Sequence, residues 1–290
     1  MTTADDHLDR IRRHYGVRGL NARILARLEE CGLRLDALGR DDLADFDEFH
    51  AGGRDATRAL ARAAGLRPGL AVLDIGCGLG GPARTLAAEF ACRVVGIDAT
   101  ADYIEAARML TDLTRLGGRV RFAVASAPDL PFPAAAFDVV WLQFVTPNIP
   151  DKDALLAEVR RLLAPGGRLA IHDVMRGSGE PLALPVFWAE DDSLNALDSP
   201  EDFARRCKRA GLARLDFRDD SPAALAWFRA ALAPARPPGP KRLGLGLIVP
   251  GDARTKSANV LANLESGRIR IFLGIFSRDA KSPATAGGAA

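Results

Sequence analysis

Asp74, Gly76, Gly78 and Gly81 fall within the run VLDIGCGLGG, and a second acid, Asp98, closes the run RVVGID. The glycines satisfy G-x-G-x-x-G, the pattern of a chain that turns sharply after a strand and brings its backbone against a nucleotide. Taken alone, the pattern suits NAD, FAD or another adenosine cofactor. The neighbouring charge discriminates between them. A carboxylate at Asp74 repels a pyrophosphate but suits a ligand carrying an ammonium or sulfonium group, which favours S-adenosylmethionine. A helix opening at Pro82 would offer free N–H groups to the carboxylate of such a ligand. Asp98 would accept from both ribose hydroxyls.

These residues converge only if strands and helices alternate around them. Apolar periodicity predicts strands at 71–75, 93–97, 119–124, 137–142, 168–172 and 213–217, with helices at 82–90, 101–116, 152–163 and 200–210 between them. The alternation implies an α/β fold, a Rossmann-like doubly wound parallel sheet with helices on both faces. Pro82 and Pro200 suit first helical turns, and Ser199 with Asp202 forms a reciprocal cap. Gly65, Gly117 and Gly211 end their helices through positive φ, and Pro165–Gly166 fits a type II turn.

Residues 1–55 read as an N-terminal helical cap, and 56–277 as the cofactor-binding domain, with a helical insertion at about 221–267 that closes over the site. Within the insertion, helices are expected at 222–232 and near 253–265, joined by the stiff connector PARPPGPK. RIRIFLGIFS reads as a last strand of the main sheet. Residues 278–290 read as a disordered tail.

The runs VLDIGCGLGGPARTLAAEF, VVGIDAT, DLPFPAAAFDVVW and LLAPGGRLAIHDV, in this order and spacing, resemble the successive motifs of class I S-adenosylmethionine-dependent methyltransferases. DEFHAGGRDATRAL, FVTPNIPDK, LPVFWAEDDS and LESGRI extend the resemblance to the bacterial small-molecule group near sarcosine/dimethylglycine N-methyltransferases, over about residues 10–277. The resemblance implies that Asp74, Gly76, Cys77 and Gly78 contact the methionine end of the cofactor. It further implies that Asp98 and Ala99 contact the ribose, that Ser126 and Ala127 contact the adenine, and that Gln143 lies near the reactive end. His50, in DEFHAGG, is expected to touch the methionine end of the cofactor. Many relatives carry an acid where Ser126 stands. Serine still accepts one hydrogen bond, so weaker adenine affinity with retained binding is expected.

Methyl transfer is an in-line displacement, so alignment contributes most of the rate and a base matters chiefly for a hydroxyl acceptor. Substrates of open α/β sheets sit beyond the carboxyl ends of the strands, which nominates Phe144, Pro147 and Asn148 as acceptor contacts. Trp188 is expected to close the same pocket. His172 and Asp173 end the predicted fifth strand and are the candidate catalytic groups. Because neighbours in a strand face opposite sides, one of the two is expected to reach the acceptor. Relatives commonly show histidine at the Phe144 position and methionine at the Pro147 position. The substitutions make the pocket more apolar and point toward a larger acceptor, such as a specialised metabolite.

A formal net charge of +2 across 290 residues excludes binding dominated by phosphate backbones, so no nucleic-acid partner is expected. No apolar run reaches the length of a membrane helix, and MTTADDHLDRIRRHYG is not signal-like, so a cytoplasmic location without a membrane partner is expected. The four cysteines, Cys31, Cys77, Cys92 and Cys207, form no CxxC pair, and neither His7 nor His14 joins a ligand cluster; no metal is expected. The reading is therefore a methyltransferase acting on N or O of a small molecule, as a monomer or homodimer. Alternatives are a cyclase-like enzyme of natural-product biosynthesis that keeps the cofactor without transferring methyl, and a non-catalytic cofactor sensor.

Overall fold

The computed structural model describes residues 4–127, 130–233, 243–249 and 252–278. The PARPPGPK connector and the tail beyond Arg278 lie outside the described residues. Four helices come first: α1 (Ala4–Tyr15), α2 (Leu20–Glu30), α3 (Ala44–Asp47) and α4 (Gly53–Ala63). The alternating part follows as β1 (Ala71–Ile75), α5 (Gly81–Glu89), β2 (Arg93–Asp98), α6 (Ala101–Leu113), β3 (Val120–Val124), β4 (Phe137–Gln143), α7 (Lys152–Leu162), β5 (Leu163–Arg176), α8 (Pro200–Arg209) and β6 (Leu212–Asp219). Two helices, α9 (Ser221–Leu232) and α10 (Ala253–Glu265), precede the last strand, β7 (Ile269–Arg278).

The strands form one seven-stranded sheet in the order β3-β2-β1-β4-β5-β7-β6. Alternate residues of each inner strand face opposite layers, as the pleat requires. Val72, Val139 and Trp141 pack with Leu60, Ala83, Leu86 and Ile104 of α4, α5 and α6. Leu73, Val140 and Leu142 pack with Leu155, Val159 and Phe203 of α7 and α8 on the other face. Burial on both faces explains why these strands read as nearly continuous apolar runs.

The expectation of a wholly parallel sheet is corrected at β7, which runs antiparallel to both β5 and β6. Asp219 of β6 pairs with Phe272 of β7, and the Asp220 amide donates to the Ile271 carbonyl at 2.7 Å. The chain therefore leaves β6 and re-enters β7 at the same end of the sheet, like a hairpin whose connection has grown into α9 and α10. That end is also the carboxyl end of β5, so the two helices lie over the site.

Smaller expectations divide. Gly65, Gly166 and Gly211 have positive φ, as their turns require, but Gly117 does not; Arg115, with φ 59°, takes the left-handed position after α6 instead. At α8, Ser199 Oγ accepts from the Asp202 amide at 3.1 Å. The Asp202 carboxylate accepts the Ser199 hydroxyl proton rather than reaching the Ser199 amide, so the cap is one-sided. No helix among the described residues is long and apolar enough to cross a membrane.

Candidate active site

Strand order reverses between β1 and β4, where a crevice opens at the carboxyl ends of the strands. It widens into a cavity of about 1070 Å³. Single-ligand pockets are commonly ~300–1,000 Å³, so there is room for a cofactor and a second molecule. One end is walled by Gly76, Cys77, Gly78, Asp98, Ala99, Ser126 and Ala127. The other is mostly apolar, with Leu8 and Ile11 of α1, Phe144, Pro147, Phe187, Trp188, and Trp227 and Phe228 of α9.

The glycine loop is shaped by close approach. Gly76 and Gly78 have φ values of 73° and 52°, which favour glycine. A Cβ on Gly76 would stand 2.5 Å from Val145 Cγ2, whereas one on Gly78 would meet nothing within 4 Å. Gly78 thus presents bare backbone to the open cleft. The loop is pinned to β2: the Gly76 and Cys77 amides donate to the Ile97 carbonyl, and the Gly78 amide donates to Asp98 Oδ2 at 3.1 Å. Asp98 Oδ1 accepts from the Thr100 amide at 2.9 Å. Burial raises the Asp98 carboxyl above its usual range, against the lowering effect of these amides.

Asp74 does not line the cavity; it lies beneath the loop on β1, 2% exposed, and its Oδ2 has no hydrogen-bond partner. Burial, with Glu48 and Asp98 nearby, pushes its pKa up to about 8. An unpartnered carboxylate behind a glycine loop is the arrangement a cationic ligand group relieves. Because the folded-state pKa lies above the unfolded value of 3.8, the proton-linked stability from Asp74 is fully present below that value and is lost as pH rises through about 8. Asp74→Asn is expected to stabilise the ligand-free chain at pH 8–9 by on the order of 1–3 kcal/mol and to weaken cofactor binding. Thermal unfolding of both chains from pH 5 to 9 checks this; parallel curves would contradict it.

The start of α5 packs against the cap, which sets two acids beside it. The Asp47 carbonyl stands 2.2 Å from where a Cβ on Gly81 would lie. Arg84, 0% exposed, donates to Asp47 Oδ2 at 2.7 Å, and the Thr85 hydroxyl donates to Glu48 Oε1 at 2.5 Å. Glu48 anchors a buried network that sequence reasoning missed apart from His50 and Gln143. Its Oε2 accepts from the Thr57 hydroxyl at 2.6 Å and lies 3.3 Å from His50 Nε2. Gln143 Oε1 accepts from Trp141 Nε1 at 3.0 Å, and Gln143 Nε2 lies 3.2 Å from His50 Nδ1. Burial opposes ionisation of Glu48, but hydrogen bonds from His50, Thr57 and Thr85 outweigh it and hold the carboxyl below its usual range. The one signal in the sequence is an acid two residues before a histidine in a loop, which acquires meaning only through contacts to α4, α5 and β4.

His172 and Asp173 are corrected: neither lines the cavity, since β5 runs on to Arg176 and both residues sit within the strand, paired with Leu273 and Phe272 of β7. Asp173 is 0% exposed and accepts from the amides of Val145, Thr146 and Val174, at 3.0, 2.8 and 2.8 Å. It fixes the turn after β4. His172 Nε2 pairs with Asp220 at 3.0 Å, and burial lowers its pKa. The Phe144 ring stands between it and His50, with centroids 5.3 and 6.0 Å away. Phe144 has φ 58°, a strained value for a bulky residue, held by its amide donating to the His172 carbonyl and by the Asp173 clamp on the next two residues.

The remaining expected contacts, Ser126, Ala127, Gln143, Phe144, Pro147, Asn148, Trp188 and His50, do line the cavity. Asn148, however, spends its side chain on structure. Its Nδ2 donates to the carbonyls of Trp188 and Leu194, and its Oδ1 accepts from the Tyr15 hydroxyl at 2.7 Å. Trp188 Nε1 donates to Asn195 Oδ1 at 3.1 Å, leaving the indole as wall. No group of three or more metal-ligating side chains occurs among the described residues.

Residues 73–171 match the family model described as a methyltransferase domain. The chain is 32% identical over 183 residues to methyltransferase GfsG of Streptomyces halstedii, covering 62% of this chain and 66% of that protein. Across three curated relatives it matches, it spans 45% to 66% of their length. Geranyl diphosphate C-methyltransferase from Streptomyces coelicolor A3(2) has a similar structure, with TM-score 0.69 and 20% identity over 95% of this chain and 99% of that one. The [4+2]-cyclase SpnF gives TM-score 0.61 and 23% identity over 78% of this chain and 81% of that one. At these identities the two structures show the shared fold. The strand order around the glycine loop and the sequence matches agree, and the chain belongs to the class I S-adenosylmethionine-dependent methyltransferases.

Proposed function

We propose that the chain transfers a methyl group from S-adenosylmethionine to N or O of a small, largely apolar acceptor. The supporting observation is the continuity of one cavity, from a glycine loop flanked by Asp74 and Asp98 to a chamber walled by Phe144, Pro147, Trp188, Trp227 and Phe228. In this reading the loop backbone holds the methionine end, with the buried Asp74 behind it, Asp98 and Ala99 hold the ribose, and Ser126 and Ala127 the adenine. The bound cofactor supplies an electrophilic methyl group whose bond to sulfur breaks to leave a neutral thioether. The chain contributes alignment, a water-poor chamber and closure by α1, α9 and α10 over the cleft.

The test has two parts. Calorimetry with S-adenosylhomocysteine is expected to show binding, with none for a nicotinamide dinucleotide. Mass spectrometry of reactions with apolar phenols and amines is expected to show S-adenosylhomocysteine formed together with a methylated product. Nicotinamide binding alone would overturn the reading, and a rearranged product without S-adenosylhomocysteine would favour the cyclase alternative.

A further inference from the structure

We infer that His50, oriented by Glu48, accepts the proton of a hydroxyl acceptor, so that the natural substrate is an alcohol or a phenol. This rests on the methyltransferase reading above and narrows it. The hydrogen bonds assign the resting imidazole. Trp141 Nε1 donates to Gln143 Oε1, which turns the amide so that its Nε2 donates to His50 Nδ1 at 3.2 Å. The single Thr57 hydroxyl proton goes to Glu48 Oε2 at 2.6 Å, leaving His50 Nε2–H to donate to the same carboxylate. Nδ1 therefore keeps its lone pair, held only by a long amide contact that a substrate hydroxyl can replace.

The protonated form is also accommodated. Nδ1 lies 3.3 Å from the Ala51 carbonyl, an acceptor for the new N–H, and Glu48 faces the imidazolium charge. As the hydroxyl oxygen's electron pair takes up the methyl group, its proton passes to Nδ1. The positive charge leaves sulfur and reappears on the imidazolium, and no further reactant is needed. The charged and titratable groups facing the dyad are Glu48 on the same segment, Arg54 of α4 beside Glu48, Asp74 of β1 near Glu48, and His172 of β5.

Two other polar side chains of the cavity wall hydrogen-bond to Asn148. His7 Nε2 donates to the Asn148 carbonyl at 2.8 Å, and Tyr15 donates to Asn148 Oδ1 while burial raises its pKa. An amine acceptor that is already unprotonated needs no base. A buried, ionised Glu48 is costly unless paired, and its histidine partner opens on the cavity wall beside Phe144.

The experiment compares wild type with His50→Gln on 1-naphthol and 1-naphthylamine, a hydroxyl and an amine on the same apolar body. Naphthol turnover is expected to fall at least ~100-fold in the variant. Naphthylamine turnover is expected to fall far less than naphthol turnover, since an amine needs no base, and the S-adenosylhomocysteine Kd measured alongside reads any loss of cofactor binding. Unchanged naphthol turnover would overturn the inference, as would equal losses with both probes accompanied by weaker cofactor binding. If wild type turns over neither probe, the ¹⁵N spectrum of its histidines with S-adenosylhomocysteine bound decides. A bare Nδ1 on His50 supports the assignment, and an Nδ1–H overturns it. Wild type that binds no S-adenosylhomocysteine would instead refute the underlying methyltransferase reading.

Discussion

Asp98→Ala is expected to weaken S-adenosylhomocysteine binding by at least ~100-fold while the chain stays folded. A carboxylate offers about four acceptor positions. Asp98 accepts from the Gly78 and Thr100 amides and faces the cavity at the end of β2. Two hydrogen bonds from ribose hydroxyls to an ionised carboxylate are each worth ~1.5–3 kcal/mol. At about 1.4 kcal/mol per tenfold, their loss gives the stated weakening. The fold should survive because the loop keeps its other anchor, the Gly76 and Cys77 amides on the Ile97 carbonyl. Calorimetry with S-adenosylhomocysteine, with far-UV circular dichroism as the control for folding, checks both halves. A Kd within about threefold of wild type would remove the ribose from Asp98.

The glycine loop and the acids beside it were legible because each signal is local. A buried strand, glycines forced to positive φ and an acid at the next strand end all lie in short runs, and the fold has no freedom to place them apart. The acceptor end was not. Reading His172 and Asp173 as catalytic required β5 to stop at residue 172, but β7 pairs with it through Arg176 and draws both side chains into the sheet. That pairing depends on an antiparallel strand about a hundred residues later, whose direction no periodicity records. The Glu48–His50–Thr57–Gln143 network is invisible for the same reason. Its members come from a loop, a helix and a strand, and only the packing of the cap on α5 makes them neighbours. Phe144 lines the apolar end of the cavity, and its left-handed backbone follows from Asp173, a residue assigned to different work.

The cap itself hangs on one buried ion pair, and breaking it should cost the chain more stability than any surface change. Arg84 joins three elements: it donates to Asp47 Oδ2 of α3 at 2.7 Å and to Thr111 Oγ1 of α6 at 3.0 Å from its own place on α5. Arg84→Leu keeps the apolar stem but leaves Asp47 buried beside Glu48 with only the more distant Arg54 to offset its charge. Removing one partner of such a pair costs ~3–5 kcal/mol. The loss should depend on pH. Burial already raises Asp47 to about 6 against the opposing pull of Arg84, and without the arginine the value rises further. A raised folded-state pKa means that proton-linked stability is fully present below the unfolded value and is lost as pH rises through the folded one. The variant should therefore fall further behind wild type at pH 8 than at pH 5 in denaturant titrations. Adding Asp47→Asn to Arg84→Leu should recover most of the loss at pH 8, because the orphan charge rather than the missing guanidinium contacts carries it. A double variant as unstable at pH 8 as the single one would show instead that Arg84 holds the cap through its contacts on α6.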